Sequence, residues 1–324
     1  MTQLLISWHG LAFINNPQES AIMHMADALL SPMVGGAFWA VSGLLIGYSA
    51  KKVSREADAS KTPLMGVLGA FVFAAQMINF TIPGTASSGH LGGGLLLTVL
   101  LGPYRAFITL ASVLIVQCLF FADGGLLALG CNIFNLAFFP AFIAFPFIYR
   151  VIAGNSASPR HVAAGSMTAA IAALLMGAFS VVLETVLSGI TELPFGTFIL
   201  FMLPIHLAIG IAEGLATWAV LLFVLKTEPA LLNRQPASSR PHFILAIFTV
   251  ATLIAGGGLS WLASSRPDGL EWSIANVTGK GAVSGVPPNA GTSLSGIIGS
   301  LSVLVAAGGI GLVLGKKRPE QKNL

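Results

Sequence analysis

Between Arg105 and Arg150 the chain carries a single charged side chain, Asp123. A run that long with one charge does not make the water-facing shell of a soluble domain; it calls for an apolar surround. The rest of the chain follows suit. Of its 324 residues 55% are apolar and 9% charged, against roughly 25% charged in an ordinary soluble domain. A helix that crosses a bilayer takes about 20 mostly apolar residues. Candidate spans fall at 32–50, 63–82, 104–122, 130–149, 161–188, 196–225, 242–263 and 291–315. A shorter apolar piece, 90–101, follows a polar Gly/Ser loop. Its residues would rise only about 18 Å as a helix, and it is read as a ninth, short helix.

Cytoplasmic loops collect Lys and Arg. With nine helices and the start of the first one outside, the inside segments hold Lys51, Lys52, Arg55, Lys61, Arg105, Arg150, Arg160, Lys226, Arg234, Arg240, Lys316, Lys317, Arg318 and Lys322. The outside segments hold only Arg266 and Lys280. Omitting the short helix would invert every later loop and spoil this separation. The expected class is therefore an all-α polytopic membrane protein, with the Met23 end outside and the C-terminus in the cytoplasm. The basic balance reflects loop bias, which removes nucleic acid as a partner.

Cys118 and Cys131 form no CxxC pair and read as buried thiols. Residues 1–22 lack the basic start of a signal peptide and form a leader. The segment TEPALLNRQPASSRP, 227–241, is polar, basic and proline-bearing, and reads as a cytoplasmic linker. It separates seven helices from a final pair, 242–324, joined by a Gly/Ser/Pro-rich outside loop from Ser264 to Ala290. Small residues crowd the spans, as in GGGLLLTVLLG and AAGGIGLVLG, and let helices approach closely.

The stretch MHMADALLSP, Met23–Pro32, places a start-like methionine and a histidine just ahead of the first span. Were Met23 the first residue, its α-amine, the His24 amide nitrogen and the His24 imidazole would bind one ion in a plane. The amine and amide close a five-membered ring, and the amide and Nδ1 a six-membered one. Square-planar nitrogen suits Ni(II) or Cu(II), with Co(II) lower in the binding order. His90, in GTASSGHLGGG on the same outside face, is the best fourth donor. The alternative is a surface histidine at a membrane boundary.

Polar residues inside the spans say more. Gln76 and Asn79 stand three apart and would share a helix face. Asp123, Asn132 and Asn135 flank the outside loop ADGGLLALGCNIFN. Glu184 and Glu213 lie in long apolar helices, and His206 precedes Glu213 by two turns. A mid-membrane carboxylate costs roughly 2.5–3.5 kcal/mol on insertion scales and so faces a partner or a cavity. Support of the metal site or a proton path are the functional readings. For Glu213 and His206 the preferred one is a Glu–His pair that joins helices. No HExxH, GxxxxGK[ST] or GxSxG element is present, so ATP-driven movement of ions would need a separate ATPase.

MHMADALLSP, AFVFAAQMINFTIPGTASSGHLGGG, FFADGGLLALGCNIFNLAFFPAF and HLAIGIAEGLATW together resemble the CbiM/NikM family, the metal-binding membrane subunits of cobalt/nickel energy-coupling-factor transporters. The likeness covers about Met23 to Lys226, and SSRPDGLEWS resembles the PDGLE segment of a small two-helix accessory component. It implies a seven-helix, S-component-like bundle at 23–226 with a two-helix accessory segment at 242–324. It also implies a substrate-capture protein that is not itself an enzyme, working with a transmembrane coupling subunit and cytoplasmic ATPases. Nickel or cobalt would be transported, with no permanent cofactor, and cobalt supply would serve cobalamin biosynthesis. The family's metal ligands fall on Met23, His24 and His90, with Asp27, Gln76, Asn79, Asp123, Asn132 and Asn135 around them.

The chain departs from the family pattern at its start, because residues ahead of Met23 tie up the amine. Translation from Met23 is the preferred account, since Gln18-Glu19 can be encoded by CAGGAG, a ribosome-binding sequence. MADALL replaces an IPDGFL-like continuation but keeps Asp27. In the PDGLE loop, Pro267, Asp268, Gly269, Leu270 and Glu271, the acids could recruit cations, or the loop could press on the capture site and control loading; the second is preferred, with Trp272 as anchor. The competing function is a self-sufficient proton-coupled permease using Glu184, His206 and Glu213.

Overall fold

The computed structural model describes residues 24–56, 61–154, 158–232, 241–279 and 288–315. The expected leader, Met23 and most of the linker therefore lie outside the described residues. The first helix, α1 (Pro32–Arg55), opens on a Ser31 cap whose hydroxyl accepts the Val34 N–H at 3.4 Å. Next come α2 (Thr62–Gln76), a two-residue pair of strands β1 (Phe80–Thr81) and β2 (Ser88–Gly89), and α3 (Gly94–Leu101). α4 (Pro103–Phe121) and α5 (Leu129–Ile133) follow. The axis of α5 continues as π-helical turns over Phe134–Tyr149 and closes as α6 (Arg150–Ala153). Pro140 and Pro146 lie inside the π-helical stretch. Neither could donate the bond an α-helix asks for there, and wider turns relieve the ring clash.

The long pair α7 (Pro159–Ser188) and α8 (Phe195–Thr227) packs lengthwise, and a short α9 (Pro229–Leu232) ends the first segment. The second segment holds α10 (Pro241–Gly257), α11 (Gly269–Thr278) and α12 (Ala290–Gly315). Six helices among the described residues are long and apolar enough to cross a membrane: α1, α4, α5–α6, α7, α8 and α12. Helices α2 and α10 are apolar but shorter. Large apolar side chains face outward, with Leu44 75%, Phe120 70%, Leu187 70% and Leu262 77% exposed. That outward face suits lipid rather than water.

Each expected span meets a helix, and most starts agree within two residues. Three fall short of their expected extent, and one of these, expected at 242–263, is α-helical only to Gly257, followed by a 3-10 turn over Leu259–Leu262. The second span was expected to run to 82, but α2 ends at Gln76 and the chain turns into the β1–β2 pair. Asn79 therefore lies beyond the helix and shares no helix face with Gln76. The expected short helix at 90–101 is helical only from Gly94, and Leu95, Leu97, Leu100 and Leu101 are each at most 1% exposed. It is enclosed by protein, between α4, the π-helical turns, α7 and α8.

The C-terminal segment is seated against the first. α12 runs along α2, where a Cβ on Gly66 would lie 2.8 Å from the Leu304 carbonyl oxygen and 3.1 Å from Gly308 Cα. α10 packs on α2 and α12, and α11 on α8. Small residues at this seam bring backbones close enough for dispersion to hold the helices in an apolar solvent.

Candidate metal centre

The segment after residue 23 runs through a bend into a 3-10 turn over Asp27–Leu29, and α5 receives it. Asn132 grips the Met25 backbone from both sides: its Oδ1 accepts the Met25 N–H at 3.1 Å and its Nδ2 donates to the Met25 carbonyl at 3.2 Å. Gly125 N–H donates to the same carbonyl at 3.0 Å, and Ala128 N–H donates to Asp27 Oδ1 at 2.9 Å. The two glycines of ADGG make this contact sterically feasible. Gly124 has φ +83°, and a Cβ there would lie 2.9 Å from His24 Cβ. A Cβ on Gly125 would overlap the Asp27 carboxylate.

This docking buries His24 to 4% exposure and brings its ring centroid to 5.3 Å from that of His90, tilted by 53°. His24 Nδ1 stands 3.0 Å from Asp123 Oδ2. Its Nε2 is buried and has no hydrogen-bond partner among the described residues. The nitrogen expected to chelate thus stands in ion-pair contact with a carboxylate, but neither buried ring nitrogen has a hydrogen-bond partner among the described residues. An unpaired buried polar atom costs about 1–3 kcal/mol, which a ligand could recover.

Both rings line a cavity of about 80 Å³ together with His206, Asn132, Asn135 and Asp268. One water takes about 10–15 Å³ measured this way, so an ion and several waters fit. Among the described residues, no group of three His, Cys, Asp or Glu side chains is close enough to hold a metal ion by itself. The expected chelate would draw its remaining nitrogens from the backbone of Met23 and His24. His206 Nδ1–H donates to the Met202 carbonyl at 2.8 Å, which turns the ring into the cavity wall. Glu213 bonds elsewhere, to the N–H groups of Gly92 at 2.8 Å and Gly93 at 2.9 Å. The expected Glu–His pair is therefore corrected: the backbone offers each a nearer partner than the other side chain.

The amides behind the cavity join helices to one another. Gln117 Nε2 donates to Gln76 Oε1 at 2.9 Å, and Gln76 Nε2 donates to the Gly92 carbonyl at 2.9 Å. Asn135 Nδ2 and Ser180 Oγ both donate to Glu184, at 2.9 and 3.0 Å. Asn79 works through its backbone, whose carbonyl accepts the Ser264 N–H at 2.7 Å.

The PDGLE loop forms part of the same cavity wall. Ser88 N–H donates to the Pro267 carbonyl at 2.7 Å, its hydroxyl donates to the Arg266 carbonyl at 2.8 Å, and Arg266 reaches the Thr85 carbonyl at 3.1 Å. The loop thereby extends the edge of β2, two residues from His90. Asp268 and Glu271 form a capping box on α11: Asp268 accepts the Glu271 N–H at 2.7 Å, and Glu271 Oε2 accepts the Asp268 N–H at 3.3 Å. Burial, and then the Glu271 carboxylate, push the Asp268 carboxyl well above its usual range. Cation recruitment by these acids is the less favoured of the two expected roles, beside docking of the loop; D-x-x-E ahead of an apolar run is in addition a helix-start signal. Gly269 leaves room for the cavity: a Cβ there would lie 3.3 Å from His206 Cε1. Trp272 packs edge-on against Phe201, centroids 5.7 Å apart, and anchors the loop to α8.

Residues 24–231 match the family model of CbiM, the cobalt uptake substrate-specific transmembrane region. The chain belongs to the CbiM family. Its residues 242–285 match the PDGLE domain, so this CbiM chain carries a fused accessory segment. It is 33% identical over 302 residues to an Archaeoglobus fulgidus protein with the provisional name fused nickel transport protein NikMN, covering 87% of this chain and 96% of that one. It is 29% identical to the cobalt transport protein CbiM of Sorangium cellulosum, covering 65% of this chain and 95% of that one. The crystal structure of a truncated transition metal transporter superposes with a TM-score of 0.55 at 33% identity, over 63% of this chain and 99% of that one. The CbiM chain described here is thus a multi-pass membrane protein of the cobalt/nickel transport type.

Proposed function

We propose that this chain is the substrate-capture component of an energy-coupling-factor importer for Ni(II) or Co(II). Capture takes place on the outer side, and ATP is hydrolysed by separate cytoplasmic subunits reached through a transmembrane coupling subunit. The carrying observation is the pair of imidazoles, His24 and His90, set 5.3 Å apart in one cavity with His24 Nε2 lacking a partner. Nitrogen donors in a plane favour nickel over cobalt, and fused relatives carry nickel names; cobalt, where carried, would feed cobalamin synthesis. The topology that goes with this reading is a seven-helix bundle with the buried α3 as one of its seven, plus the α10/α12 pair. It sets the Met23 end outside and the C-terminus in the cytoplasm.

Capture needs the amine of Met23, so translation starts there. In the metal-free protein Asp123 holds the His24 ring, and on capture His24 Nδ1 leaves Asp123 and joins the neutral amine and the amide nitrogen, which gives up its proton to solvent, around the ion. His90 supplies the fourth nitrogen. Asp27, Asn132 and the Gly124–Gly125 turn hold the chelating segment in place, while Gln76 and Asn135 support the opposite wall. The PDGLE loop closes the cavity from the side and governs loading. The test is metal content of protein purified with Met23 first, beside the longer chain. Stoichiometric nickel or cobalt in the first form, lost in His24→Ala and His90→Ala and kept in His161→Ala, is the expected result. Equal retention by all variants overturns the site. Uptake by this chain alone, driven by a proton gradient, would instead support a permease.

A further inference from the structure

Glu213 is buried at 4% exposure on α8, yet it is not part of the wall that contains the three imidazoles. It lines a separate space of about 10 Å³ behind Gly92, room for one water at most. Both of its oxygens are committed to the loop that carries His90, one to the Gly92 N–H at 2.8 Å and one to the Gly93 N–H at 2.9 Å. The opposite side of the same turn is held by Gln76, whose Nε2 donates to the Gly92 carbonyl and whose Oε1 accepts from Gln117. A carboxylate and an amide relay thus grip the peptide groups two and three residues beyond His90 from two sides. Hydrogen bonds to a carboxylate are shorter and stronger than neutral ones. The grip spans α8, α2 and α4, so the height of His90 in the cavity is set by three helices.

We propose that Glu213 is a positioning residue for metal capture: it fixes the His90 loop so that the imidazole meets His24 across the cavity, and neither binds the ion nor carries protons. This rests on the capture reading above. Because the Glu213 carboxylate bonds to backbone N–H groups, a substitution that keeps its bulk but breaks the two-point grip should loosen His90 without emptying the cavity.

The experiment uses the full chain with Met23 first, as wild type, His90→Ala, Glu213→Gln and Glu213→Asp. Each is titrated calorimetrically with nickel chloride alone, and amide exchange is followed over residues 88–96 in the metal-free protein. The amide nitrogen of Gln cannot accept an N–H, and Asp is one methylene too short to reach both. Both should weaken nickel by about ten- to a hundredfold, as for other groups that orient metal ligands. Exchange over 88–96 should quicken, with exchange in the middle of α7 unchanged. Wild-type nickel affinity in either folded Glu213 variant overturns the proposal, as does unaltered exchange over 88–96. If His90→Ala binds nickel as well as wild type, the capture reading itself fails and Glu213 loses its role with it. A Glu213→Gln protein that does not fold leaves Glu213→Asp to decide.

Discussion

At the level of single residues, the cavity depends on how a short chain segment is held rather than on the number of donors. Asn132 makes two hydrogen bonds to the backbone of Met25, the neighbour of His24. Each is worth about 1 kcal/mol, and both serve to keep the imidazole at its place. Asn132→Ala should therefore cut nickel affinity roughly tenfold or more, measured by calorimetry, while helix content by circular dichroism stays the same. Gly125→Ala should be harsher, because its Cβ falls on the Asp27 carboxylate. We expect that variant to fold but to bind no stoichiometric nickel, and normal binding would show that the segment can dock another way.

At the level of elements, α11 and the loop before it decide between the two roles offered for PDGLE. Asp268 both caps α11 and forms part of the cavity wall. Asparagine caps a helix as well as aspartate does, and alanine loses about 1 kcal/mol of cap. Asp268→Asn should thus preserve metal accumulation in vesicles if the loop acts by docking, and Asp268→Ala should lower it. Loss in both would mean that the negative charge recruits the cation. The seam between α2 and α12 makes a related prediction: Gly66→Leu, with no room beside Leu304 and Gly308, should release α12. Separately expressed 23–241 and 242–324 chains are expected to co-purify without the substitution and to cease to do so with it.

At the level of the whole molecule, the fused segment forms part of the cavity wall and is held there through Ser88, Pro267 and Trp272. Removing 242–324 should change metal accumulation by the assembled importer. Unchanged uptake would assign the PDGLE segment a packing role only. The mass of the mature protein reads the starting residue directly, and a chain beginning at Met23 is the expected outcome.

The one charge between Arg105 and Arg150, the span lengths and the Lys/Arg bias of the loops made the membrane-helical architecture legible, because lipid admits few ways to satisfy a backbone. His24 and His90 were likewise legible as a pair by their residue type and family motifs. The sequence did not reveal that α2 stops at Gln76, that His206 turns to the Met202 carbonyl, or that Glu213 grips Gly92 and Gly93. Those outcomes depend on which backbone group lies nearest once helices remote in sequence have packed, and hydrogen bonds choose by distances of tenths of an ångström. Composition by itself determined that this chain lives in a bilayer; tertiary structure alone decided which polar groups share the cavity, since burial leaves each of them only the partners that packing brings within reach.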